Sequence, residues 1–169
     1  MTDADNRAST STSMNTNTSR TGDPAALAAA TAGAMWARDQ TAQALGMRLL
    51  HIDAGSATLA MTVRSDMVNG HHICHGGMIF TLADTAFAYA CNSYNLNTVA
   101  AAAQIDFLAP AREGEVLEAE AIERSAAGRT GVYDVSVRTG DGRLIALFRG
   151  KSARIAGEVI QGLEEAQKK

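Results

Sequence analysis

A chain of 169 residues with 46% hydrophobic content is sized for one domain with a real core, and aromatics at only 5% mean that Ala, Val, Leu, Ile and Met must build it. The net charge of −3 lacks the basic excess of a general nucleic-acid binder. The two cysteines, Cys74 and Cys91, form no CxxC pair or disulfide framework, and apolar runs such as Val99–Ala103 fall far short of a bilayer span.

Residues 1–22 are of low complexity: from Ser9 to Ser19 every residue except Met14 is Ser, Thr or Asn. Such a stretch buries too little apolar surface to offset chain entropy and is expected to be a disordered tail. It carries no apolar signal region, so the expected location is cytoplasmic. Order should begin at Asp23-Pro24, an N-cap followed by a first-turn proline. A helix is predicted over Ala25–Leu45, with a break near Gly33 and a stop at Gly46.

Two strand-like runs follow, Met47–Asp53 and Ser56–Val63, joined by Ala54-Gly55. In the second, Ala57, Leu59, Met61 and Val63 alternate with Ser56, Thr58, Ala60 and Thr62, the pattern of a hairpin strand. The polar loop Arg64–His75 leads into a predicted long helix, Gly76–Asn95. Ile79, Leu82, Ala83, Ala86 and Ala90 give it a buried stripe, and its alanines would let a sheet approach closely. Four strands are then predicted as a meander: Thr98–Phe107, Glu115–Arg124, Thr130–Thr139 and Arg143–Ile155, with a turn at Gly140-Asp141-Gly142. The result is an α+β plan in which one antiparallel sheet wraps a central helix. One sheet covers only part of that helix and leaves edge strands unpaired, which favours a dimer.

The chemistry concentrates at the start of the long helix. Gly76 and Gly77 leave backbone N–H groups open to an incoming oxygen. Asp84 sits in an apolar helix, a costly place unless the carboxylate is paired or used. Gly77 and Asp84 lie seven residues apart, roughly 10 Å along a helix, so one reacting carbon cannot meet both on the same chain. The simplest resolution takes Asp84 from a second subunit, with two equivalent sites per dimer. The run His71-His72-Ile73-Cys74-His75 invites a metal reading, but five consecutive residues seldom all turn to one ion and no second ligand cluster appears. No metal and no cofactor are expected.

The plan and motifs resemble the hotdog fold and, within it, the PaaI-type acyl-CoA thioesterases. The matching stretches are Asn69-Gly70, Cys74-His75-Gly76-Gly77, the run from Phe80 to Ser93, Ile105-Asp106-Phe107-Leu108, Thr130-Gly131-Val132-Tyr133-Asp134 and the run from Ala146 to Ser152. They are collinear over about Ala34 to Gly157. The implied organisation is a hotdog domain at 23–157 between the tail 1–22 and a charged tail 158–169.

The resemblance implies hydrolysis of phenylacetyl-CoA or a ring-hydroxylated relative by a homodimer that pairs into a homotetramer. A hydratase or dehydratase acting on acyl thioesters, or a non-catalytic acyl-CoA binder, are the alternatives. It places the carboxylate at Asp84, the polarising amide at Gly76 or Gly77, and supporting groups at Asn69 and His75. Asp84 would attack the carbonyl directly or deprotonate a water that does. Coenzyme A carries phosphates and needs cations; the candidates are Arg129, Arg149, Lys151 and Arg154, of which Arg149 and Lys151 share a strand face. Asn92 and Ser93 are further candidates along the acyl or pantetheine path.

Overall fold

The computed structural model describes residues 23–162. The expected tail at 1–22 and the residues after 162 lie outside them. Asp23 caps the first helix, α1 (Pro24–Trp36), its side chain accepting the Ala25 N–H at 3.1 Å. The predicted break falls later than Gly33. Gly33 stays inside α1, and the chain leaves the helix at Ala37 because Asp39 starts a new one, α2 (Gln40–Ala44), by accepting the Ala42 N–H at 3.0 Å. Gly46, at φ +67°, makes the turn into the sheet.

Six strands follow: β1 (Arg48–Asp53), β2 (Ser56–Thr62), β3 (Leu96–Phe107), β4 (Val116–Ala127), β5 (Thr130–Thr139) and β6 (Leu144–Glu158), with helix α3 (Gly76–Asn92) between β2 and β3. All pair antiparallel in one sheet of order β1-β2-β4-β5-β6-β3. This corrects the meander: β3 pairs with β6, and β4 pairs with β2 instead of β3. The helix carries the chain across the sheet to its far edge, where β3 forms, and the next strand returns to the gap beside β2. Strands β3, β4 and β6 also run further than their patterns suggested, β6 continuing through Glu158, while β5 has its expected bounds, β1 and β2 are each one residue shorter, and α3 stops at Asn92.

The sheet curls around α3. Leu82, Ala83, Ala86 and Ala90 are fully buried against it, and the small alanines set the close approach. On β5, Tyr133, Val135 and Val137 point to the helix while Asp134, Ser136 and Arg138 point away, as the alternation predicted. The Phe87 ring fits only because β6 has Gly150 beneath it; a Cβ there would stand 2.9 Å from the ring. Two of the open surfaces of this shell lie at its far edge and along the helix. On edge strand β3, residues 99–104 are exposed, and along α3 Thr81, Asp84, Thr85 and Ala88 form a half-exposed stripe.

Candidate active site

The loop before α3 is held by its own side chains. Asn69 Oδ1 accepts the N–H groups of His71 (2.9 Å) and Ile73 (3.4 Å), and the Asn69 N–H donates to the Ile73 carbonyl at 2.9 Å. This tight turn puts His72 at φ +58°. The Cys74 N–H donates to the Ala111 carbonyl and the His75 N–H to the Met67 carbonyl, both at 2.8 Å, so the entry to α3 is tied to two other segments. Asn69 therefore commits its oxygen to the loop, while its amide NH2 donates to no described residue.

His75 is the N-cap of α3. Its Nδ1 accepts the Gly77 N–H at 3.1 Å, and its carbonyl accepts from Met78 at 2.9 Å. An accepting Nδ1 leaves the ring proton on Nε2. The two glycines thus differ. The Gly77 N–H is capped, while the Gly76 N–H has no partner among the described residues. The Gly76 amide is the open donor at the positive end of a seventeen-residue helix.

Asp84 lies two turns further along, on the half-exposed stripe. Its carboxylate accepts no hydrogen bond among the described residues. The nearby hydroxyls are committed elsewhere, Thr81 to the Gly77 carbonyl (2.8 Å) and Thr85 to the Thr81 carbonyl (2.7 Å). Desolvation alone pushes its pKa above the ordinary Asp value. Gly76 and Asp84 are eight residues apart, about 12 Å along the helix axis, so one chain holds the open donor and the unpartnered carboxylate too far apart for one reacting carbon.

The expected cations divide between two faces. Arg149 and Lys151 project from β6 away from α3, and Arg149 is held by Asp134 in a two-point contact of 2.6 and 2.9 Å. Asp134 also binds Arg124, and this cluster lines a basin of about 490 Å³ on the outer face of the sheet. Arg154 has the opposite strand parity, with Gly150 and Ser152. With Arg129, Cys91, Tyr94 and Tyr133 it lines a recess of about 70 Å³ at the C-terminal end of α3. Arg129 donates to the Arg154 carbonyl at 3.0 and 3.2 Å. Neither concavity is lined by Asp84 or Gly76.

Asn92 and Ser93, expected along the acyl or pantetheine path, both bond the chain's own backbone. Asn92 Nδ2 donates to the Ala88 and Thr98 carbonyls and its Oδ1 accepts from the Thr98 N–H, all at 2.9 Å. Ser93 Oγ donates to Ala90 and accepts from Gly55, both at 2.8 Å. Their polar atoms are consumed by the chain's own backbone. No sequence signal pointed to Glu123, whose Oε2 accepts the hydroxyls of Tyr94 (3.0 Å) and Tyr133 (2.8 Å) beside the recess. Burial, then this carboxylate, pushes Tyr94 up to about 12 and Tyr133 higher still.

With this geometry in place, comparison with known proteins decides the family. Residues 71–146 match the Thioesterase superfamily. The chain is 50% identical over 128 residues to the acyl-coenzyme A thioesterase PaaI of Escherichia coli (strain K12), spanning 76% of this chain and 91% of that protein. The chain belongs to the PaaI-type acyl-CoA thioesterases. The PaaI structure from E. coli superposes with a TM-score of 0.80 at 48% identity, over 80% of this chain and 99% of that one. A PaaI structure from Thermus thermophilus gives 0.65 at 38% identity, over 68% and 97%. The six-stranded antiparallel sheet around α3 is the hotdog fold of this family, and the chain is a thioester hydrolase. No helix among the described residues is long and apolar enough to cross a membrane.

Proposed function

We propose that this PaaI-type enzyme hydrolyses phenylacetyl-CoA or a ring-hydroxylated relative to the free acid and CoA, in a site shared by two subunits. The observation that carries the reading is the separation, on one helix, of the open Gly76 N–H from the unpartnered Asp84. The Gly76 amide of one subunit polarises the thioester carbonyl, aided by the dipole of α3. Asp84 of the other subunit attacks that carbonyl or draws the proton from an attacking water, and His75 and Asn69 orient the reactants with Nε2–H and the free amide NH2. The uncovered stripe on α3 and the free edge of β3 support a homodimer as the minimal unit, and the family resemblance supports its pairing into a homotetramer. Arg129 and Arg154, at the recess on the helix-facing side, are the cations best placed for a CoA phosphate; Arg149 and Lys151 would meet one only across the outer face.

Asp84→Asn should lower thiol release by at least about a thousandfold while leaving the CoA ester bound. Unchanged turnover in this variant would sink the assignment, and enoyl-CoA formation in place of thiol release would favour a hydratase. Sharing is tested separately by mixing subunits that carry Asp84→Asn with subunits that carry Gly76→Ala. Random reassortment into dimers restores one intact site in half the dimers, about a quarter of the wild-type activity; a site contained in one chain restores nothing.

A further inference from the structure

Phe107 ends β3 opposite Ala146 of β6, and the residue is 52% exposed. A ring left that open must be held by its surroundings, and the backbone holds it twice. Leu108 and Ala109 both donate to the Ile145 carbonyl, at 2.8 and 3.2 Å, anchoring the chain just after the ring. Ala111 accepts the Cys74 N–H at 2.8 Å, tying the same segment to the loop that enters α3. The ring consequently rests on Gly76. A Cβ at Gly76 would stand 3.0 Å from Phe107 Cζ and 3.3 Å from Cε1. A side chain there would force the ring or the peptide to give, and the glycine beneath the ring is the one whose N–H is open.

We propose that Phe107 is a positioning residue for the thioester carbonyl: its ring, seated on Gly76, limits how far the peptide joining His75 to Gly76 can tilt. The inference rests on the reading that the Gly76 N–H polarises the substrate. That peptide is held at its His75 carbonyl by the Met78 N–H at 2.9 Å, but its N–H has no intrahelical bond, so this end alone can tilt. A hydrogen bond weakens steeply as it bends, so a tilt of that N–H costs part of its pull on the developing charge. The ring supplies the stop. Being apolar, it competes for neither the carbonyl nor the donor.

Phe107→Ala, made in the full chain, should lower kcat about 10- to 100-fold, within the range set by small misplacements of reacting groups, with KM changed less than about threefold. Phe107→Leu, which keeps an apolar cover of similar reach, should recover most of the rate. A spectroscopic readout separates positioning from general loosening. Phenylacetyl-CoA labelled with ¹³C at the carbonyl and bound to Asp84→Asn should show a carbonyl stretch shifted to lower frequency, and adding Phe107→Ala or Phe107→Leu should shrink that shift fully or partly. A folded Phe107→Ala with unchanged kcat, a rise in KM alone, or an undiminished carbonyl shift would each overturn the proposal. Should Phe107→Ala not fold, the rate and carbonyl shift of Phe107→Leu decide it. Hydrolysis surviving in Asp84→Asn would instead defeat the underlying reading, whereas an inactive Asp84→Asn beside a fully active Phe107→Ala defeats only this inference.

Discussion

The two ends of α3 are built from similar polar residues and use them in opposite ways. At the C-terminal end Asn92 makes three hydrogen bonds to backbone, Ser93 makes two, and Asn95 clamps Ile160 through its N–H (2.8 Å) and carbonyl (3.1 Å). At the N-terminal end His75 caps one amide, Gly76 keeps another open, and Asn69 ties down a loop with its oxygen while its NH2 has no partner among the described residues. One end satisfies its own polar groups and the other leaves donors facing outward. Residue type does not distinguish them. The donor left open does, because a folded chain satisfies its polar groups wherever it can.

Gly76→Ala should break the open end most severely. The added methyl presses on the tip of the Phe107 ring, so the ring or the peptide must give, and activity should fall by up to about 100- to 1000-fold, the cost of losing one carbonyl-polarising donor. Gly77→Ala is the internal control: its Cβ would meet only the His75 ring, with Nδ1 nearest at 3.4 Å, and its N–H is already capped. It should lose less than about tenfold. Equal losses in the two variants, measured as kcat/KM by thiol release, would erase the distinction between the two amides.

Asn92→Ala probes the closed end and should give the reverse signature. Three hydrogen bonds vanish, leaving the Ala88 and Thr98 carbonyls and the Thr98 N–H without that partner, so stability should drop by about 2–4 kcal/mol. Chemical denaturation measures this. The kcat and KM of the folded fraction should stay near wild type. A rise in KM with little loss of stability would return Asn92 to the substrate path that the family resemblance suggested.

What could be foreseen from the sequence follows the same division. Alternation located β2 and β5, the alanine-rich stripe located α3, and an Asp among apolar neighbours singled out Asp84, because each signal is local. The pairing of β3 with β6 was not legible, since strand order depends on where α3 delivers the chain and not on any pattern within β3. Parity on β6 put Arg149 and Lys151 together, but which face they share is fixed by the sheet's curl around α3. The difference between Gly76 and Gly77 turns on a single imidazole nitrogen, and Glu123 sits on a strand whose pattern gave no reason to look inward.

The smallest effects concern two carboxylates with opposite shifts. Burial without a partner raises the Asp84 pKa, so the folded state prefers its neutral form. The stabilising contribution of that form is complete below the unfolded pKa, near 3.9, and is lost as pH rises through the higher folded value. Asp84→Asn should therefore melt slightly higher than wild type at neutral pH, with the gap closing as pH falls below about 4. In the active enzyme the acid limb of kcat/KM should lie above the ordinary Asp range, since only the ionised carboxylate can attack or accept a proton. Asp134 behaves in reverse. Arg149 first, then Arg124, hold its pKa below the usual value, so its contribution is present above the unfolded pKa and is lost as pH falls through the lowered folded one. Because that cluster is exposed, Arg149→Ala should scarcely move the melting temperature, and less still at high salt. Melting curves from about pH 3 to 8 should show the Asp84→Asn difference growing with pH and the small Arg149→Ala difference disappearing in acid. Parallel curves for both variants would mean that neither carboxylate is shifted by the surroundings described.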